Sequence, residues 1–587
     1  MKRAFLALVL TAGAVLGQAR ADYILIRVNL NNLSLDTFTP PDPNQPKPMT
    51  MATGQPAPEP AIPVWAYAHL ELKAKAKPQQ TMFGNFVQVD HAWGKTTMIP
   101  YHPDLNLAPL VRDPLNKEFD KLMKKELRSG RDPERLLALA AWALEHDLMK
   151  EFHSTMADLG KLDPKRPALI RYGKIQAEIK KALPSDDPAN AALLLELQKE
   201  NYTRRLVSDQ GHYALLTNLP ASPQYDGLLH KRLARLESMY ESYFYWWALQ
   251  EYLPLPAMPT QRLLALHIND PQAFTKKAAY WDASLIYGCG FTPHRDNIMV
   301  LGTKRQDHAF TLLEKNNRSY WANLTLSREE CLSGLIWQRQ DLKLQPFQLA
   351  LVQTLAVVER AMEEECERLT LSHEPTRQLL VATGLLPRNV AVPEWIRFGL
   401  SSFFETSYGA LQPGVGLAST SHLINFKYYR AAKKLPASQD LLFQTVTDRL
   451  FRRARLTGEE KGETAKDREK IADKVRQELE VARAASWALV YYLARAKKLE
   501  LLLNYCRELD KLPRDLDLDE GLLQSCFAKG FGLAGKDGRV NPAAFQGFAD
   551  AWFAEMELLS LDQADLESEL FTFRTKMYQP VAPMPAN

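Results

Sequence analysis

The hydrophobic pattern of this chain changes period near residue 105, and that switch constrains the fold more than any other feature. Before it, residues 64–72 alternate, with Val64, Ala66, Ala68, Leu70 and Leu72 on one side and Trp65, Tyr67, His69 and Glu71 on the other. A two-residue period is that of a half-buried strand. After it, Leu136, Leu137, Ala140, Ala141, Leu144 and Leu148 recur at the spacing of a helix face. Both periods in one chain predict an α+β protein, and 587 residues are too many for one ordinary core, so several domains are expected.

The first 21 residues read as a cleavable signal peptide. Lys2 and Arg3 form a basic start, Phe5 to Gly17 is a short apolar run, and Ala19-Arg20-Ala21 fits the small-x-small cleavage rule. A secreted or periplasmic location follows as an expectation. Residues 23–30 are rich in β-branched and aromatic side chains and read as a strand. Residues 40–63 hold nine prolines and can form neither helix nor sheet, so they read as a linker. With a further strand pair over 82–93 and 95–101, residues 22–110 make a β-rich N-terminal unit, with the Lys-rich 72–78 read as a solvated face.

Residues 111–200 are expected to form a helical hairpin. Asp132 is a candidate N-cap with Pro133 at the first helical position, and amphipathic runs follow over 150–160 and 168–181. The pairing resembles a tetratricopeptide hairpin, but one and a half repeats are as consistent with an ordinary helical subdomain. Residues 183–200 read as a linker. Residues 201–410 then carry strands at 202–208, 212–217, 263–268 and 298–301, an aromatic-rich helix at 223–252 and a helix at 346–372. Residues 411–587 read as a helical C-terminal region, interrupted by the highly charged 457–470.

Composition narrows the functional classes. The formal net charge of +4 falls nearer zero without Lys2, Arg3 and Arg20, so nothing in the charge balance calls for a nucleic-acid partner. No apolar run reaches the length of a membrane-spanning helix. The five cysteines are widely spaced without a CxxC pair, which removes zinc knuckles and thioredoxin-type sites and leaves their pairing open. P-loop, GxGxxG, nucleophile-elbow and EF-hand patterns are missing.

One segment carries chemistry. Residues 370–386 read TLSHEPTRQLLVATGLL and residues 392–405 read VPEWIRFGLSSFFE. A lone His-Glu pair is expected about once by chance in such a chain. An HExx segment ending a long helix, followed about twenty residues later by Pro-x-Trp-x-x-x-Gly-Leu, is more specific. This combination resembles the gluzincin-like zinc metallopeptidases, and more closely a secreted bacterial domain-of-unknown-function family with a peptidase-MA-like core. The resemblance is clearest over 365–405 and looser over 202–410, and WALVYYLA at 487–494 matches a later helix. It implies a metallopeptidase-like domain over 201–410, flanked by the β-rich unit and the helical regions.

In the family pattern the first helix carries HExxHQ and the second Pro-x-Trp-Leu-x-Glu-Gly-Leu-Ala-x-Tyr-Phe-Glu. Two histidines four residues apart share a helix face and one Zn²⁺, the first glutamate is the general base, and the Glu of Glu-Gly completes the ligands. By this resemblance His373 holds the first metal-ligand position and Glu374 the general-base position. The second ligand position is Arg377, which stays protonated and offers no lone pair, and the third is Phe398, which has no ligand atom. Pro375 is expected to kink or restart the helix.

These departures predict that Arg377 pairs with Glu374 at helical contact spacing while Phe398 fills the vacated volume. Glu394 and Glu405 are alternative ligands by their spacing from Phe398; His422, His294 and His308 have no interpretable spacing. The expected function is a secreted, catalytically inactive metallopeptidase-like protein that binds peptide or protein in the cell envelope, with no cofactor. The cleft between the two motif helices and the hairpin at 132–181 are its expected binding surfaces. The alternatives are an active zinc endopeptidase with rearranged ligands and a structural envelope protein without a specific ligand.

Overall fold

The computed structural model describes residues 23–560 except 34–63, 74–75, 82–83, 95–96, 103–104, 106, 108, 113–114, 129, 131, 282–285, 306, 406–414, 417 and 515. The expected signal peptide and the proline-rich segment 40–63 lie outside the described residues. The chain is a mixed α+β protein with several structural units.

Six strands open it: β1 (Tyr23–Asn29), β2 (Trp65–Glu71), β3 (Lys77–Thr81), β4 (Gly84–Val89), β5 (Thr97–Pro100) and β6 (Leu110–Arg112). They form two antiparallel sheets in the orders β2-β1-β6 and β3-β4-β5. In β2 the expected inner face is buried at Ala66, Ala68 and Leu70, but His69 on the opposite face is buried as well, its Nδ1 3.3 Å from Glu365, so the strand is not simply half-buried. Within 72–78, Lys73, Lys77 and Pro78 are exposed as a solvated face would be, while Leu72 is buried; Lys77 and Pro78 also pair with β4 as part of an edge strand, where both are tolerated.

Four helices follow: α1 (Leu115–Arg128), α2 (Pro133–Glu145), α3 (Met149–Leu162) and α4 (Pro167–Ile179). Asp132 caps α2 by accepting from the Glu134 amide at 3.1 Å, with Pro133 in the first turn. The expected linker 183–200 instead contains α5 (Ala191–Lys199). Asp187 caps a 3₁₀ turn at Pro188–Asn190, which hands the chain straight into AALLLELQK.

The central layer is a five-stranded mixed sheet made of β7 (Arg204–Val207), β8 (Tyr213–Thr217), β9 (Leu263–His267), β10 (Gly290–Phe291) and β11 (Met299–Leu301). Its order is β10-β11-β9-β8-β7, with β8, β9 and β11 parallel and the two edges antiparallel. Strands buried on both faces need helices on both sides. Tyr213, Leu215, Leu263, Ala265, Met299 and Leu301 face α6 (Pro223–Leu249), while Ala214, Leu216, Leu264, Leu266 and Val300 face α5 and α7 (Pro271–Tyr280).

Then come α8 (His308–Leu324), α9 (Arg328–Ser333), α10 (Pro346–Ala382) and α11 (Glu394–Phe403). The chain ends in α12 (Thr420–Ala431), α13 (Ser438–Val446), α14 (Arg449–Glu459), α15 (Ala465–Arg495), α16 (Leu499–Leu509), α17 (Glu520–Gly530) and α18 (Pro542–Leu558). The charged 457–470 is the junction of α14 and α15, closed by a capping box of Thr464 and Asp467.

Neither the β-rich unit nor the helical hairpin closes a core of its own. In the β-rich unit, Ile24, Ile26 and Val28 pack with Phe310 and Trp321 of α8 and Leu355, Val358 and Met362 of α10. The hairpin α2–α4 packs onto α6 within a core that continues to Leu559. Arg171 of α4 reinforces that packing by donating to the carbonyls of Trp247, Ala248 and Leu253. The inner face of the hairpin is therefore occupied. Among the described residues no helix is long and apolar enough to cross a membrane.

Candidate functional site

The site is built where the second half of α10 meets α11. α10 runs unbroken through Pro375, so the expected restart does not occur. Neighbours hold the helix on every side there: Ser372, His373, Glu374, Thr376 and Gln378 are all buried. Gln378 anchors it to the sheet by donating Nε2 to the carbonyls of Leu264 (2.9 Å) and Asn297 (2.8 Å). Thr292, just past β10, donates to the Glu374 carbonyl at 3.2 Å.

α11 starts after Pro393, and the half-buried Asp448 accepts through Oδ1 from the Trp395 amide at 3.0 Å, satisfying one orphan N–H of its first turn. Gly399 lets α11 lie directly on α15. A Cβ there would stand 2.6 Å from the Ser486 carbonyl oxygen and 2.8 Å from Val490 Cγ2. The WALVYYLA stretch is thus the wall behind the second motif helix.

These helices bring His373, Glu374, Arg377 and Phe398 into one buried cluster. His373 Nδ1 lies 2.8 Å from Glu405 Oε2, and Arg377 Nε donates to His373 Nε2 at 3.2 Å. An arginine only donates, so His373 Nε2 is the bare nitrogen and Nδ1 carries the proton given to Glu405. The His373 ring meets Phe398 and Tyr287, each at a centroid separation of 5.0 Å. Phe398 also packs on His422 and Phe451.

The expected partner of Arg377 needs correcting. Its Nε is 4.0 Å from Glu374 Oε1, at the limit of an ion pair. Its main partner is Glu394 on α11: Nη2 bonds Oε1, and Nη1 lies 3.4 Å from Oε2. Arg397 adds a contact to Glu394 Oε2 at 3.2 Å and donates to the Thr292 carbonyl at 2.8 Å. Glu374 Oε2 is buried with no hydrogen-bond partner among the described residues.

Glu405, read from its spacing as an alternative ligand, is a central acceptor. Besides His373 it receives the Tyr287 hydroxyl at 3.1 Å and faces His422 Nε2 at 3.6 Å. Arg483 of α15 lies over Tyr287 and Phe398, 5.0 and 5.8 Å from the ring centroids. Glu405 was reachable from its spacing in the second motif. Tyr287, Arg397 and Arg483 carried no sequence pattern that marked them.

Electrostatics follow from this crowding. Burial alone would raise the Glu394 and Glu405 carboxyls. The charges of Arg377 and Arg397 outweigh it at Glu394, and hydrogen bonds from His373 and His422 outweigh it at Glu405, so both sit below the usual carboxylate range. Burial opposes the Arg377 charge, but Glu394 and Glu374 more than restore it. At Asp448 burial, then the Glu394 charge, outweigh the backbone hydrogen bonds and the Arg452 charge and push it up to about 6.

The donor set does not fit a zinc ion bound in the family manner. His373 has both nitrogens engaged, the second position is a cation and the third a phenyl ring. His373, Glu405 and His422 do lie together, yet no group of three metal-binding side chains is arranged to hold an ion among the described residues. His294, bonded through Nε2 to the Pro387 carbonyl at 2.8 Å, and His308, which begins α8, are not among the hydrogen-bonding partners of this cluster.

Residues 368–515 match the family described as "Protein of unknown function (DUF1570)". The DUF1570 match begins just before His373, covers α11 to α16 and crosses residue 410, where a domain boundary was expected. It therefore takes in both motif helices and the α15 wall behind them. No curated protein and no solved structure matches the chain.

Proposed function

We propose that this is an exported, metallopeptidase-like protein that does not hydrolyse peptides and acts by binding peptide or protein in the cell envelope. The observation that carries the reading is the guanidinium of Arg377, held between His373 Nε2 and Glu394. Hydrolysis by the family's chemistry needs three lone-pair donors and an open position for water. A cation and a phenyl ring supply neither. The reading needs no cofactor.

Binding falls to surfaces outside the cluster, because the space between the motif helices is filled by Phe398 and Tyr287. The outward side of the α3–α4 hairpin is the better candidate, with Leu162 41% and Ile170 62% exposed. The test is hydrolysis of casein and short peptides by the full chain with added zinc, alongside photocrosslinking from position 170. No hydrolysis and crosslinking to a defined peptide or protein are expected. Cleavage that Glu374→Gln abolishes would overturn the reading in favour of a rearranged zinc site, for which the neighbouring His373, Glu405 and His422 are the supporting observation. A chain that neither cleaves nor crosslinks would point to a purely structural role.

A further inference from the structure

The turn entering β10 sets a thiol against α10. Cys289 Sγ lies 3.3 Å from Thr370 Oγ1, and its amide donates to the same oxygen at 3.0 Å. Cys366 is one turn before Thr370 on α10 and shares that face. Gly288 makes the approach: at φ +71°, a Cβ on it would stand 2.6 Å from Thr370 Oγ1 and 3.6 Å from Cys366 Sγ. Glycine alone accepts both the left-handed backbone and the crowding.

Both cysteines are buried and free in this structure. Each thiol feels the other. Cys289 is held below its ordinary range, first by the neighbouring Cys366 thiol, and Cys366 is pushed well above its own by the same neighbour. At Cys331, Cys506 and Cys526 burial acts first and no second thiol is among the causes.

We propose that Cys289 and Cys366 are a dithiol pair that closes to a disulfide in an oxidising compartment, tethering the β10 edge to α10 two turns before His373. The Cys289 thiolate attacks one sulfur of a small disulfide donor of the glutathione class and releases the first donor thiolate. Cys366 then loses its proton, attacks the Cys289 sulfur of the mixed disulfide and expels the second. The protein gives up two protons and two electrons, and the donor takes both as it becomes two thiols. Burial hinders attack in the packed chain, so the bond forms while the turn still opens during folding. Once closed, it holds Tyr287, two residues away, against His373 and Phe398. The inference rests on the export part of the proposed function and not on its binding part; the refolding test supplies the oxidant itself, so its failure leaves that reading untouched.

The full chain, reduced and unfolded, is refolded in a buffer of oxidised and reduced glutathione, blocked with N-ethylmaleimide under denaturing conditions and mapped by mass spectrometry. Of the five cysteines, only Cys331, Cys506 and Cys526 are expected to carry the label, with peptides holding Cys289 and Cys366 joined until reduction. Five labelled cysteines, or any other pairing, would overturn the proposal. In Cys366→Ser the thiols of Cys331, Cys506 and Cys526 are expected to label and Cys289 to label or to carry a glutathione, and a bond from Cys289 to another cysteine would also overturn it. If that variant fails to fold, the map of the unaltered chain still decides.

Discussion

Arg377 and Glu394 pair across the two site helices, largely shielded from solvent, with Arg397 also donating to the same carboxylate. Breaking a buried pair from one side strands the other charge, which costs about 3–5 kcal/mol. Arg377→Met is therefore expected to destabilise the α10–α11 region by about that much. Glu394→Gln in the same chain should recover a good part of it. Thermal and urea unfolding of the two single variants and the double variant measure the coupling. Strictly additive losses would mean the two side chains do not depend on each other.

The cluster also makes a gain-of-binding experiment informative. Arg377→His together with Phe398→Glu restores donors at the two replaced positions, one turn from His373 and against its ring. The double variant is expected to take up about one zinc per chain by plasma emission analysis, and to lose it on His373→Ala. No uptake in a folded double variant would count against the proposed correspondence of the two helices with zinc-binding ones.

Asp448 predicts a pH dependence with a definite sign. Its carboxyl titrates near 6 in the folded chain against 3.8 for the free group, so the folded state holds the proton more tightly. Stability from this group is complete below about pH 4 and falls as pH rises toward 6, by about 1–3 kcal/mol. Asp448→Asn keeps an oxygen for the Trp395 amide and suits the left-handed backbone at φ +61°. It is expected to flatten the profile of melting temperature between pH 4 and 6. An unchanged slope would assign that dependence elsewhere. Glu394, whose carboxyl is lowered, acts in a separate window and loses its contribution only as pH falls below about 4.5.

Gly399 is expected to be the least replaceable small residue of α11. A methyl group there meets the backbone oxygen of Ser486, which cannot turn aside as a side chain could. Gly399→Ala should lower stability by about 1–3 kcal/mol despite the better helix propensity of alanine. A rise in melting temperature would show that α11 and α15 do not approach so closely.

Local rules explain much of the fold. Asp132-Pro133 opens α2, Thr464 and Asp467 box the start of α15, and alternation marks the buried side of β2, because caps and periodicity act within a few residues. α5 was hidden by Pro184 and Pro188, although LLLELQ carries helical propensity. Pro375 argued for a break that the surrounding packing overrides. Nothing within the β-rich unit shows that α8 and α10 supply a large share of its core.

The sequence by itself determined which chemical groups stand at the motif positions: an imidazole, a carboxylate, a guanidinium and a phenyl ring at 373, 374, 377 and 398. That excludes the family's ligand set by donor chemistry alone. Only the tertiary structure decided what those groups do with one another. Helical spacing pointed Arg377 at Glu374, but Glu394 lies on a different helix, Glu405 follows that helix, and Tyr287 comes from a segment far away in the chain. A buried charge is settled by whichever opposite charge the fold brings nearest, and sequence distance carries no information about that.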